Sequence, residues 1–230
     1  MGCDIHLCVE KKVDGQWIAV KGPDIWEPER ESLFWLTNAR SYRLFAILAD
    51  VRNDRDVDGC DTEKNFNPIA GPKSLPADIS PEILAESDSW DGDGHSHSYH
   101  TVQDLLAYDW TQMATLQGWL SISEYWKWSR YNKRHGEGPE DYCGSVGGGM
   151  TKHISEEEME SIVKPIRDSG KTSYADQEAT LNAIIPHYYT LCTWKQPYYK
   201  TCRYFLSDCI PQLLRLGKPE DVRIVFWFDN

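Results

Sequence analysis

The sequence predicts a mixed α+β fold in which a single central sheet contains both chain ends and is flanked by helices. The first observation is a β-hairpin near the start, over residues 3–12 and 16–21, with Asp14-Gly15 at its turn. The second is a largely apolar run from Val222 to Phe228, which is typical of a buried strand. The third is the series of helical segments between these strands, each with its own start signal.

The first helices follow the hairpin. Residues 41–51 have an apolar stripe at helical spacing, formed by Leu44, Phe45, Ile47, Leu48 and Val51. A second helix is predicted to begin at Ser80-Pro81, since proline suits the first helical position. Thr101 is predicted to cap a third helix over residues 102–110. The connecting residues 52–80 and 88–100 are predicted as long polar loops.

The later elements are predicted from similar signals. Residues 111–128 have a helical but ambiguous pattern, and Ser155 precedes an acidic first turn of another helix. A strand is predicted over residues 188–194. A helix over residues 199–216 is predicted to bend at Pro211 and to end at Gly217.

A length of 230 residues with 40% hydrophobic content favours one domain spanning residues 1–230. Residues 129–153 are charged and glycine-rich, so we predict a mobile insertion there. Within it, residues 144–152 resemble a phosphate-binding loop only loosely, because Gly-Lys-Ser/Thr is absent. A flexible linker is the favoured interpretation.

The composition restricts the classes of partner. A net charge of −12 without a Lys/Arg-rich run argues against direct nucleic-acid binding. No apolar run approaches 18 residues, so no membrane span is expected. Seven cysteines without a Cys-x-x-Cys pair or a signal peptide favour free thiols and a cytoplasmic location. The ten Trp and twelve Tyr residues supply mostly core packing, and they can also build stacking pockets.

The Asp4-x-His6 pair is the leading candidate site. Both side chains project from the same face of an otherwise apolar strand, because strand side chains alternate. A carboxylate and an imidazole at this spacing can share a metal ion or transfer a proton. The alternative is a structural pair that holds the sheet together. If both chain ends share one sheet, Asp229 lies near this pair.

The loop from Asp91 to His100 is the second candidate. Its histidines His95, His97 and His100 have a spacing that can converge on zinc. The alternative is a solvated, turn-rich loop that leads into the cap at Thr101.

Two further segments follow the first helix. Residues 54–59 match the first half of a calcium-binding loop, but Asn65 stands where such loops need glutamate, so a solvated turn is favoured. Polar residues Asp50, Arg52 and Asn53 end the helix. Arg52 can pair with a phosphate or with Asp50, and the alternative for this group is helix C-capping.

Several stretches together resemble a family of uncharacterised proteins carried by bacteriophages and prophages. The stretches are Met-Gly-Cys-Asp-Ile-His at the start, residues 44–53, residues 75–80, Gly94-His-Ser, and Val-Phe-Trp-Phe-Asp-Asn at the end. The resemblance spans most of the chain. It implies a phage or prophage origin and action in the bacterial cytoplasm, and it implies no particular activity. The residues to which it draws attention are Asp4, His6, Asp50, Arg52, Asn53, His95, Ser96 and Asp229.

The leading hypothesis is a metal-dependent hydrolase acting on a nucleotide or a related phosphorylated small molecule. The predicted metal ligands are Asp4, His6, His95 and Asp229, and the ion is zinc or manganese in preference to calcium. The predicted catalytic residues are Asp4, His6, Arg52 and Asn53, with Arg52 neutralising substrate charge. The alternative is a non-catalytic phage accessory protein that sequesters a host signalling nucleotide or blocks a host defence protein.

Overall fold

The computed structural model describes residues 2–23, 31–37, 40–53, 65–169 and 173–229. The chain divides into two compact units, which are described separately. The first unit comprises Met1–Asn53, Phe66–Gln112 and Tyr198–Asn230, and the second comprises Asp54–Asn65 and Met113–Pro197. The prediction of one domain over residues 1–230 stays a prediction.

The first unit contains a four-stranded antiparallel sheet formed by β1 (Ile5–Val13), β2 (Gln16–Ala19), β5 (His95–Thr101) and β9 (Val222–Phe228). The order of the strands in this sheet is β2-β1-β9-β5. The central strand β9 is buried at all seven positions. The fold-class prediction is therefore confirmed, because one sheet contains the N-terminal hairpin and the C-terminal strand. Strands β3 (Lys21–Pro23) and β4 (Glu31–Leu33) form a separate pair.

The helices of the first unit begin where local signals place them. Helix α1 (Tyr42–Ala49) is capped by the Ser41 side chain, and its last six residues are buried. Helix α2 (Pro81–Ser89) starts with proline, and a full capping box with Asp104 starts α3 (Val102–Ala107) at Thr101. A π-helical turn, Phe205–Cys209, lies between α7 (Tyr198–Thr201) and α8 (Ile210–Leu214), so the predicted last helix is interrupted just before Pro211.

The second unit contains a three-stranded sheet that the sequence pattern does not predict. Its strands are β6 (Met113–Ser121), β7 (Thr151–His153) and β8 (His187–Pro197), in the order β6-β8-β7. Strand β6 is antiparallel to β8, and β7 is parallel to β8. The helices are α4 (Ile122–Arg130), α5 (Glu156–Arg167) and α6 (Tyr174–Asn182). The prediction of a helix over residues 111–128 is wrong for residues 113–121. These residues form β6, and every one of them pairs with a residue of β8.

The described cysteines are free thiols, and Cys60 lies outside the described residues. None of the helices in the described part of the chain has the length and apolarity that crossing a membrane requires. Within the predicted insertion 129–153, Cys143 exchanges two backbone hydrogen bonds with Trp119 of β6. The mobility predicted for residues 129–153 stays a prediction.

Candidate functional site

The two chain ends meet at one end of the first unit's sheet. In the antiparallel register of β1 and β9, His6 lies opposite Trp227. Beyond that pair, the backbone N–H of Asp229 donates to the carbonyl of Asp4 at 3.2 Å. In return, the Asp4 backbone N–H donates to Oδ1 of Asp229 at 3.0 Å. These bonds hold the Asp229 carboxylate in a defined position beside β1.

The second oxygen of that carboxylate contacts the imidazole of His6. Nε2 of His6 lies 3.1 Å from Oδ2 of Asp229, and the two side chains are only 16% and 23% exposed. Because a carboxylate only accepts hydrogen bonds, Nε2 is the protonated nitrogen and donates to Asp229. Nδ1 is then an acceptor, and it makes no hydrogen bond to another described residue. The pair has the arrangement of an orienting carboxylate and a general base.

Indole rings surround the His6 ring. The ring centroid of Trp90 lies 3.8 Å from that of His6, and the Trp227 centroid lies 5.9 Å away in a stacked orientation. Trp35 approaches edge-on at 6.1 Å. With its faces against indoles, the imidazole is reached through its edges, where the nitrogens are. Gly94 allows this packing, since a Cβ there would lie 3.2 Å from Cβ of Trp90.

Asp4 has a different partner from the predicted one. The guanidinium of Arg40 binds its carboxylate with both arms, Nε to Oδ1 at 2.7 Å and Nη2 to Oδ2 at 2.5 Å. The hydrogen bonds from Arg40 lower the pKa of Asp4. Both Asp4 oxygens are therefore committed to an arginine, and this exposed pair lies beside Asp229.

Arg52 lies near the same chain ends. Its side chain donates a hydrogen bond to Cys3, and the pKa of this buried thiol is raised mainly by burial and also by the charge of Asp229. The guanidinium also lies 5.9 Å from the ring centroid of Tyr42. Two positively charged side chains, Arg40 and Arg52, thus accompany the His6–Asp229 pair.

The side-chain amide of Asn53 makes hydrogen bonds within the protein. Its Nδ2 donates to Oδ1 of Asp50 and to the carbonyl of Phe66, both at 2.7 Å, and its Oδ1 accepts from the Phe66 N–H at 3.0 Å. Asp50 and Arg52 have φ values of 60° and 58°, in the left-handed region. The buried amide therefore connects the end of α1 to residue 66, and a catalytic role for Asn53 has no support from these contacts.

The histidines predicted to lie in a loop belong to strand β5 instead. His95 lies opposite Phe228, and its Nδ1 is 3.0 Å from Oγ of Ser96. Its buried Nε2 has no hydrogen-bond partner among the described residues. His97 stacks on Trp227 at 6.0 Å. A bulge separates His95 from Ser98, and Ser96 adopts a φ of 53° within it. His97 therefore lies on the Trp227 face of the sheet, which is also the face of His6, whereas His95 lies on the opposite, Phe228 face.

His100 has a structural environment. It is 1% exposed, and its Nε2 donates to the Leu48 carbonyl at 2.7 Å. Burial lowers its pKa from 6.5 to about 4. The folded protein therefore keeps this ring neutral at pH values at which the unfolded chain takes up a proton.

We expect His100 to make the protein acid-sensitive. Its contribution to stability is complete above pH 6.5 and is lost as the pH falls toward about 4, a loss of about 3 kcal/mol. Urea unfolding between pH 7 and 4 measures this, and His100→Gln should lose about 3 kcal/mol less over that range. The exposed His187→Gln serves as the control. Identical pH profiles for wild type and His100→Gln would contradict the assignment.

The predicted metal ligands are not all brought together. Among the described residues, no group of three or more His, Cys, Asp or Glu side chains is arranged to hold a metal ion. His6 and Asp229 lie within 3.1 Å, whereas Asp4 is bound by Arg40. The calcium-loop interpretation of residues 54–59 falls outside the described residues.

Three neighbours of the site are not predicted by any sequence pattern: Trp35, Trp90 and Arg40. The high Trp content was a signal for stacking, but nothing in the sequence distinguished these rings from core residues. No family model, curated protein or solved structure matches this chain.

Proposed function

We propose that His6 and Asp229, with the side chains around them, form the active site of a hydrolase. Its substrate is a nucleotide or a related phosphorylated small molecule. The observation that carries this proposal is the His6–Asp229 pair, 3.1 Å apart and partly shielded from solvent. A histidine oriented by a carboxylate is a common general base, and such bases contribute roughly 10²–10⁴-fold to rate.

Nδ1 of His6 is the atom that takes the proton in this mechanism. It accepts a proton from water as the water oxygen attacks phosphorus, and the imidazolium is stabilised by Asp229 through Nε2–H. The bond between phosphorus and the leaving oxygen then breaks. The imidazolium returns its proton to that oxygen, which restores the neutral ring.

The surroundings support a phosphorylated substrate with an aromatic part. Arg40 and Arg52 provide positive charge next to Asp229 for phosphate oxygens. Trp35 and Trp90 are partly exposed, so they offer indole surface to a base. The acidic chain as a whole is unsuited to nucleic acid, which favours a small molecule.

A divalent ion at this site, zinc or manganese in preference to calcium, is a second proposal. Its support is the approach of the His6 imidazole to the Asp229 carboxylate, since both groups are good ligands for these ions. His6 and Asp229 would hold the ion. Asp4 would join them only after releasing Arg40, and His95 only after its ring leaves Phe228 on the other face of the sheet. Held by these residues, such an ion would supply an activated water for the attack on phosphorus.

We further propose a phage accessory protein that works in the host cytoplasm, on the resemblance of the chain ends described above. Sequestration of a host signalling nucleotide, or obstruction of a host defence protein, is the non-catalytic version of this proposal. The extensive indole packing around His6 supports nucleotide binding in either version.

The test is incubation with a panel of nucleotides, followed by denaturation and chromatography of the recovered small molecules. We expect cleavage of at least one phosphorylated compound, and we expect His6→Gln to reduce its rate about 10²–10⁴-fold. His187→Gln, at an exposed position of the second unit, is the matched control. Recovery of a bound but intact nucleotide would favour sequestration, and cleavage unchanged in His6→Gln would contradict the active-site assignment.

Elemental analysis of protein purified without a metal-affinity tag separates the two versions of the chemistry. One zinc or manganese per chain, lost in Asp229→Asn and His6→Gln, would favour the ion. Activity that survives chelation and dialysis would favour proton transfer by His6 alone.

A further inference from the structure

A second site lies in the second unit, at the C-terminal end of α4. A cleft of about 210 Å³ opens there. Pockets for drug-sized ligands measure roughly 300–1,000 Å³, so this cleft suits one ring system with a small substituent. Its lining residues are Lys127, Trp128, Arg130, Tyr131, Asn132, Glu140 and Tyr174.

Two tyrosine rings contribute aromatic surface to this cleft, and one of them, Tyr131, packs on His135 with ring centroids 4.0 Å apart. Tyr131 and Tyr174 are 61% and 50% exposed, although both have large apolar rings. Tyr174 is held in position because it packs on Trp126, with ring centroids 4.6 Å apart. Exposed, positioned aromatic rings are suited to stacking on a planar ligand.

The guanidinium of Arg130 is oriented beside these rings. It lies over Trp126 and Tyr174, 5.0 and 5.6 Å from their centroids, and its Nη1 donates to Oε1 of Gln177 at 2.9 Å. The Nε and Nη2 groups make no hydrogen bond to any other described residue. One planar edge of the guanidinium is therefore available to a ligand with two neighbouring acceptors.

The charged side chains that line the cleft are not all paired with one another. Lys127 forms an ion pair with Glu178, with Nζ 2.5 Å from Oε1. Glu140 is exposed and has neither a hydrogen bond nor an ion pair with another residue in the described ranges. The cleft thus combines a paired-donor edge, a carboxylate acceptor and stacking surfaces.

We propose that this cleft binds the guanine base of a mononucleotide. Guanine presents the neighbouring acceptors O6 and N7, which an arginine edge binds in a bidentate manner. Its N1–H and N2–H₂ donors match the two oxygens of the Glu140 carboxylate. Adenine has an acceptor at N1 and a donor at N6, so it meets a carboxylate and a guanidinium with the wrong groups. The guanine ring stacks on the exposed surface of Tyr131 and Tyr174.

Calorimetric titration of the full chain with GMP and with AMP tests this proposal. We expect GMP to bind at least about tenfold more tightly than AMP. Glu140→Gln should remove most of that preference by weakening GMP binding, and Tyr174→Ala should weaken both ligands. Glu157→Gln, an exposed carboxylate on α5, is the matched control.

Equal affinities for GMP and AMP, no binding of either, or an unchanged preference in Glu140→Gln would overturn the proposal. The cleft does not depend on the hydrolase proposal, because its residues belong to the second unit. His6→Gln should therefore keep the preference for GMP, and loss of this preference in His6→Gln would assign guanine binding to the first unit instead.

Discussion

Arg223→Ala is expected to lower the free energy of unfolding by about 3–5 kcal/mol, because it leaves a buried carboxylate without its counter-charge. Arg223 and Glu10 are 3% and 0% exposed, and Nε of Arg223 lies 2.6 Å from Oε2 of Glu10. The other Glu10 oxygen accepts the Ser80 backbone N–H at 2.6 Å. One ion pair thus connects β1, β9 and the start of α2.

The remaining contacts of Arg223 are of smaller value. Nη1 donates to Asp78 at 2.8 Å, but that carboxylate is 67% exposed, so the pair contributes little. The guanidinium also lies 4.1 Å from the ring centroid of Trp17. Most of the expected loss of unfolding free energy therefore comes from the buried charge of Glu10, which has no counter-charge in the variant.

Urea unfolding monitored by circular dichroism measures the effect. Arg215→Ala, at an exposed position of the same unit, should change the stability by less than about 0.5 kcal/mol. The double variant Glu10→Leu/Arg223→Met should lose less than Arg223→Ala, because it buries no unpaired charge. A loss below about 1 kcal/mol in Arg223→Ala would show that Glu10 is satisfied without it.

Trp227→Ala is expected to cost about 3–5 kcal/mol, the usual range for emptying a buried aromatic position. Trp227 is 0% exposed and belongs to the core cluster with Cys8, Ile83 and Val225. It also stacks on His6 and His97, so its removal withdraws one wall of the His6 site.

Thermal and urea unfolding of Trp227→Ala, beside the control Tyr204→Ala, provides the measurement. Tyr204 is 55% exposed in the same unit, so its truncation should have a small effect. If the two variants proved equally stable, the sheet would not depend on the packing of Trp227.

Much of the first unit was predictable because its signals are local. Asp14-Gly15 forms the hairpin turn with φ values of 49° and 83°, the conformation that such a pair favours. Ser41 caps α1, and Thr101 with Asp104 forms the capping box of α3. Each of these elements is specified by residues within one turn of its boundary.

Strands β5 and β6 were not predictable in the same way. The sequence of β5, His-Ser-His-Ser-Tyr-His-Thr, is polar, yet it forms a strand because it pairs with the fully buried β9. In β6 the buried residues Ala114, Leu116 and Leu120 do lie at strand spacing. The aromatic residues of α4 follow directly after Ser121, so the boundary between strand and helix is not visible in the sequence. The pattern of residues 111–128 therefore favours one helix.

The hairpin, the capped helices, the last strand and the expected proximity of Asp4, His6 and Asp229 all follow from the amino-acid sequence alone. Their side-chain partners follow only from the packed fold: Asp229 binds His6, Arg40 binds Asp4, and Trp90 covers the imidazole. Turns and caps depend on short-range hydrogen bonds, which residue type and spacing specify. Side-chain partners from distant segments depend on how strands pair and helices pack, and no local pattern encodes that choice.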